Sequence, residues 1–160
     1  MRALLIALAL AACAAPARSP TAAEALAPLI GCWRGTFDGN AEVHDERCFE
    51  RLGAHVVDTH RVLPTTYAGE TTYHDDGAGG IVFAYASNDG GRSNGAVEPQ
   101  VGRLVFPPHM HRAADGAELR LRATWVLEAP DRFVSMSEVE EGGAWRPFMR
   151  IVYERADRAP

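Results

Sequence analysis

The sequence predicts an all-β domain: an antiparallel up-and-down meander of about ten strands closing into a barrel, preceded by one short helix. Three observations carry this expectation. Beyond residue 30, the runs rich in Val, Tyr, Phe, Trp and Thr are all short, and clusters of Gly, Asp, Asn and Pro separate them. Those clusters ("FDGN", "RLGA", "HDDGAGG", "SNDGGRSNG", "AADGA", "EAPD", "EEGG") are hairpin-length connections with turn chemistry, which favours a meander over a Greek key. The segment "ELRLRATWVL" alternates strictly: Leu119, Leu121, Ala123, Trp125 and Leu127 share one face, while Arg120, Arg122 and Thr124 share the other. Such a strand has one side on a core and one in water.

From the N-terminus, residues 1–13, "MRALLIALALAAC", place one charge at Arg2 before an apolar run that ends at Ala12. The run fits a signal-peptide core and is too short for a membrane-spanning helix. Leu10-Ala11-Ala12-Cys13 resembles the lipobox of bacterial lipoproteins, which implies lipid on Cys13 and cleavage just before it. Ala14 follows; in such lipoproteins a residue other than Asp there goes with the outer membrane. The expectation is therefore an outer-membrane lipoprotein facing the periplasm, anchored to the membrane through lipid. A plain secretory leader cut after a small residue such as Ala17, leaving a soluble protein, is the alternative. Residues 14–20, "AAPARSP", have the composition of a flexible tether.

The domain proper is expected over 21–156. Thr21 and Glu24 form a capping box for a helix "AAEALAPLI", which Pro28 weakens and Gly31 closes. The strands are expected at 32–37, 43–51, 55–63, 66–74, 81–87, 95–100, 103–106, 118–127, 132–139 and 145–155. A chain of 160 residues suffices for one domain with a proper core. A net charge of −5 leaves no basic patch for nucleic acid.

With Cys13 set aside for lipid, an even pair remains, Cys32 and Cys48, which in an exported chain suggests a disulfide. The two positions centre on residue 40, where "DGN" supplies hairpin turn residues, so a first hairpin would set the cysteines opposite each other. Strand side chains alternate, so an inward Trp33 sends Cys32 outward, and the bridge then sends Cys48 outward and Asp45, Arg47 and Phe49 inward. A bulge would flip that parity and expose Asp45 and Arg47.

Other patterns read as structural. Gly91-Arg92-Ser93-Asn94-Gly95 has the spacing of a nucleophile elbow, but a turn precedes it and Pro99 forbids the helix that should follow. His109 and His111 would share a face and could share a metal, yet Pro107-Pro108 suggests a surface loop and no third ligand is nearby. No metal site is assigned. "YHDDGAGG" lacks the ligand spacing of a calcium loop and reads as a hairpin turn.

A short helix, then Gly31-Cys32-Trp33 opening the first strand, then a meander ending in "WRPFMRIVYERA" resembles the calycin superfamily, the lipocalin-like barrels. The resemblance implies that Trp33 plugs the closed end of the barrel and that an arginine near the C-terminus, Arg150 or Arg155, packs on it. "LAPLIGCWRGTF" also looks like the opening of nitrobindin-like haem proteins. The last histidine here is His111, so no late histidine is present for iron and no cofactor is expected. The whole pattern, including Gly143-Ala144-Trp145 and a final Tyr153-x-Arg155, resembles bacterial lipocalin-like families of unknown function.

The expected function is binding of a small apolar or amphipathic molecule, lined by Phe49, Tyr73, Phe83, Tyr85, Trp125 and Trp145, with Arg47 and Asp45 as a polar pair. Two other classes stay open. An enzyme would need a polar set such as Asp45, Arg47, Asp58 and His60 to converge in a cavity. A structural or assembly lipoprotein would have a filled barrel.

The leader generates the first prediction. Cys13→Ala should leave the protein soluble or unprocessed and abolish metabolic palmitate labelling, because the lipid chains are the anchor. An unlabelled wild type cut downstream of Cys13 would refute lipid anchoring.

Overall fold

The computed structural model describes residues 18–156. The expected leader with Cys13 and residues 14–17 of the expected tether lie outside that range. A single helical turn, α1 (Ala22–Ala25), and a 3-10 turn (Ala27–Leu29) lead into ten strands. These are β1 (Gly31–Phe37), β2 (Asn40–Leu52), β3 (His55–Leu63), β4 (Ala68–Asp75) and β5 (Ile81–Ser87). The second half holds β6 (Arg92–Gln100), β7 (Arg103–Arg112), β8 (Glu118–Ala129), β9 (Arg132–Glu141) and β10 (Ala144–Arg155). Each strand pairs antiparallel with the next, and β10 returns to β1, so the sheet closes without an edge.

The capping box forms as the sequence suggests. Thr21 Oγ1 accepts from the Glu24 N–H, and Glu24 Oε2 accepts from the Thr21 N–H at 2.9 Å. The helix is shorter than expected: Pro28 lies at the start of a 3-10 turn that replaces its second half. The turn is tied down at its start, where the Ala22 N–H donates to Asp75 Oδ1 at 2.7 Å. Leu26 and Leu29 are buried beneath it and cover one end of the barrel.

Trp33 closes that end. Its ring is 2% exposed, its indole N–H donates to the Leu29 carbonyl at 2.7 Å, and it meets Phe133 edge-on at 4.8 Å. The Arg155 guanidinium lies over the same ring at 4.2 Å and donates to the carbonyls of Pro28, Ile30 and Pro130. One arginine thus fastens the N-terminal turn, the β8–β9 turn and the tryptophan plug. Gly31 permits this: its φ is +112°, and a Cβ there would lie 2.9 Å from Arg155 Nη1. Arg150 has no such role. It sits on the outer face, one strand step from inward Ile151, with Nη1 3.7 Å from Asp38.

The register of the first hairpin settles the parity of β2. Cys32 pairs with Cys48, Trp33 with Arg47 and Gly35 with Asp45, and the register shift falls only between Thr36 and Phe37. Cys32 and Cys48 are joined in a disulfide, their Cα atoms 4.1 Å apart, close to the spacing of a non-hydrogen-bonded pair. Asp45, Arg47 and Phe49 therefore point inward.

One reading is corrected. His109-Met110-His111 is no surface loop, because β7 runs on through Pro107 and Pro108 to Arg112. The register shifts between Phe106 and His109, and in the partner strand between Ser93 and Glu98. That irregularity accommodates two residues without an N–H to donate, and both histidines then face the interior.

Two stability predictions follow from the closed end. Trp33→Ala should lower unfolding free energy by roughly 3–5 kcal/mol in urea titrations; a loss under about 1 kcal/mol would mean that the ring is not the plug. Removing the bridge in a Cys32→Ala/Cys48→Ala variant should lower it by about 3 kcal/mol, the value for a closed loop of this length. Equal midpoints with and without reductant would refute that contribution.

Candidate functional site

Above the Trp33 plug lies a layer of aromatic rings. Phe133 stacks on Tyr153 at 4.3 Å between centroids, and Trp125 faces Phe49, Tyr73, Phe106 and Phe133. Beyond this layer the interior opens into a cavity of about 570 Å³. Phe83, Phe106, Leu121, Ala123, Trp125 and Ile151 form its apolar wall. The mouth carries Phe37, Val62, Tyr67 and the half-exposed Phe148 and Met149, displaced by the register shift between Pro147 and Met149.

One wall is charged. Neighbouring β2 and β3 carry Asp45 and Arg47, and Asp58 and His60, all facing in, with Arg47 directly opposite His60. Arg47 donates from Nε to Asp45 Oδ2 at 3.3 Å and from Nη1 to Asp58 Oδ2 at 3.0 Å. Its guanidinium also lies over Trp125 and Tyr153, 5.4 and 5.6 Å from the ring centroids. Tyr153 and Tyr73 complete the layer, donating to Asp45 Oδ2 and Asp58 Oδ2 respectively. Among the described residues, Arg47 Nη2 has no hydrogen-bond partner, and Asp58 Oδ1 is buried without one.

Asp45 also holds His60, its Oδ1 2.9 Å from Nδ1. His60 Nε2 lies 3.2 Å from the Tyr85 hydroxyl, which meets the Tyr67 hydroxyl at 2.5 Å. The result is a continuous chain from a buried carboxylate to the mouth. Gly69 makes room for it: a Cβ there would come within 2.7 Å of both His60 Nε2 and the Tyr85 ring. The opposite wall offers Ser93, with Oγ 2.8 Å from His111 Nδ1, and His109, whose Nδ1 donates to the Pro107 carbonyl at 2.8 Å. That bond leaves His109 Nε2 unprotonated while the ring is neutral.

The environment sorts the ionisable groups. Burial works against the Asp45 carboxylate, but Arg47 and the His60 hydrogen bond outweigh it and hold its pKa at about 2. Asp58, equally buried, is raised from its ordinary value because burial outweighs Arg47, His60 and the Tyr73 hydrogen bond together. Burial, reinforced by Tyr67, pushes the Tyr85 phenol up, so it serves as a hydrogen-bond donor rather than a phenolate. Burial also lowers the His109 pKa.

The residues named from the sequence divide clearly. Tyr73, Phe83, Tyr85, Trp125, Asp45 and Arg47 line the cavity, while Phe49 belongs to the floor beneath it. Trp145 does not reach the interior. It pairs with outward Glu140 on the outer face and stacks on Arg122 at 4.5 Å. Of the four residues an enzyme would require in a cavity, Asp45, Arg47 and His60 line it, while Asp58 joins them through Arg47 but is fully buried outside the lining. Sequence reasoning missed Tyr67, Tyr153, Ser93 and the inward turn of His109 and His111. The spacing of the two histidines was the available signal, masked by the proline pair.

Fold and site together define a class: a ten-stranded antiparallel meander barrel with an internal, partly charged cavity, compatible with calycin architecture. No protein-family model and no curated protein matches the chain.

The split between the two aspartates gives a pH prediction. The Asp45 pKa is depressed from 3.8 to about 2, so its contribution is present above pH 3.8 and lost as pH falls through about 2. Asp58, raised, has the opposite sign and favours the fold toward low pH. The stability difference between wild type and Asp45→Asn should therefore shrink by about 2 kcal/mol between about pH 5 and about pH 2. A difference independent of pH in urea titrations would contradict an ionised, paired Asp45.

Proposed function

We propose that the barrel binds a small apolar or amphipathic molecule in its interior, as an exported domain tethered to the membrane through lipid on Cys13. The cavity of about 570 Å³ carries the reading. It falls within the roughly 300–1,000 Å³ of small-molecule sites and has their composition, apolar walls with a few fixed polar groups. A barrel filled by its own side chains, as a purely structural lipoprotein would have, leaves no such space. The Cys32–Cys48 bridge supports export, because disulfides persist in oxidising compartments. The leader supports it independently.

The test uses a neutral anthracene probe. Saturable one-to-one binding, with energy transfer from tryptophan that falls in Trp125→Phe, is the expected result. Ala123→Phe, which fills the cavity from the wall opposite the charged cluster, should weaken binding at least about tenfold. Linear, non-saturating uptake or indifference to Ala123→Phe would refute an internal site.

The convergence of Asp45, Arg47 and His60 on the cavity, with Asp58 buried against Arg47, favours a second reading, acid–base catalysis in the same cavity. A ligand recovered chemically unchanged after prolonged incubation supports binding alone; a changed one supports catalysis.

A further inference from the structure

The chain Asp45–His60–Tyr85–Tyr67 has a direction, and that direction is set by one proton. A carboxylate only accepts, so the His60 nitrogen facing Asp45 Oδ1 at 2.9 Å carries a hydrogen in either charge state of the ring. With His60 neutral, Nε2 has a lone pair and must receive the Tyr85 O–H. The Tyr85 oxygen then receives the Tyr67 O–H, and Tyr67 offers only lone pairs to the cavity. With His60 protonated, Nε2–H donates to Tyr85 and frees the Tyr85 O–H to donate to Tyr67, so that Tyr67 can present its own O–H to an acceptor in the cavity.

From this relay we infer that the cavity takes an amphipathic carboxylate at Tyr67, and that the acid enters together with one proton, which comes to rest on His60. The inference rests on the reading of the cavity as a ligand site. A second observation points the same way. Both Asp45 oxygens are occupied by donors from the wall, Oδ1 by His60 and Oδ2 by Arg47 and Tyr153, so no cavity-facing carboxylate is left for a cation. The unpartnered donor on that wall, among the described residues, is Arg47 Nη2, beside His60 in register. Proton and carboxylate charges cancel, so the site's net charge is unchanged by binding.

The groups that face His60 are consistent with this. β2 contributes Asp45 and Arg47; β3 contributes Asp58, whose free oxygen is buried. Tyr67 comes from the β3–β4 connection with its ring 5.7 Å away, Tyr85 from β5 and Tyr153 from β10 by way of Asp45. His111 of β7 lies beyond Tyr85, 6.4 Å from its ring. Among the described histidines, His60 is the one in the hydrogen-bonded chain that reaches Tyr67.

The experiment compares dodecanoate with dodecan-1-ol, which share a chain and differ at the head. Calorimetric titrations at about pH 8, above the ordinary imidazole range, in two buffers of different ionisation enthalpy read proton uptake directly. Dodecanoate should bind with close to one proton taken up, and the alcohol with none. Carboxylate affinity should fall about tenfold per pH unit through the upper part of the range where imidazole is neutral, while the alcohol's stays flat. His60→Gln should abolish the uptake. Tyr85→Phe, which cuts the relay without touching the ion cluster, should abolish it too and serves if the first variant does not fold. Dodecanoate binding without uptake, uptake surviving both substitutions, or an alcohol that binds more tightly throughout would overturn the relay while leaving the ligand site standing. If neither compound binds while the anthracene probe does, the carboxylate class is wrong. If no probe binds, the cavity reading itself falls.

Discussion

The Cys32–Cys48 bridge lies on the outer face of the first hairpin and fixes the face of every residue beside it. A strand has a period of two, so a slip of one residue would turn each side chain of β2 to the other side of the sheet. With the cysteines locked outward and opposite, Trp33 and Arg47 must both point inward, as must Asp45 and Phe49. Everything inside the barrel depends on that parity. The plug is Trp33, the floor includes Phe49, and the charged wall is built from Asp45 and Arg47 together with the facing residues of β3.

Placing charge inside a barrel is unfavourable unless every charge is met. Here the compensation is local and ordered. Two carboxylates flank one guanidinium, two buried tyrosines cap the carboxylates, and aromatic rings lie against the guanidinium. The pairing is unequal. Asp45 accepts from Arg47, His60 and Tyr153, which holds it ionised; Asp58 keeps a buried, unpartnered oxygen and is raised. Gly69 shows the same economy of space, since any side chain there would occupy the gap in which His60 and Tyr85 meet.

Much of this was legible in the residues. Turn clusters gave the strand count, because Gly and Asp at hairpin positions are required by backbone conformation whatever the tertiary context. The cysteine spacing gave the first hairpin and, through it, the inward pair. What stayed hidden depends on long-range register. Tyr153 joins Asp45 only because β10 pairs with β1, placing Gly35 between them, and nothing local in "RIVYERA" announces that. The Pro107-Pro108 pair suggested a break, since proline cannot donate to a ladder; a strand irregularity absorbed both and kept His109 and His111 in line. Trp145 fits the composition of a lining residue, and the register of β10 with β9 places it outside.

The charged layer is hard to justify by stability alone. Replacing a buried ion cluster with well-packed apolar residues is commonly neutral or stabilising, and the aromatic floor directly beneath shows that this barrel can pack such a layer. Of the two aspartates only Asp45 lines the cavity, and donors of the wall occupy both its oxygens; the groups turned toward a ligand are those the aspartates orient. Arg47 is held by two acceptors so that one edge remains free, and His60 is held by one acceptor so that its other nitrogen meets Tyr85. Asp45 and Asp58 are thus positioning residues for a donor array that ends at the mouth. An arrangement in which buried charges fix the direction of accessible ones is what a site for a polar head group requires, and an apolar layer of equal volume could not supply it.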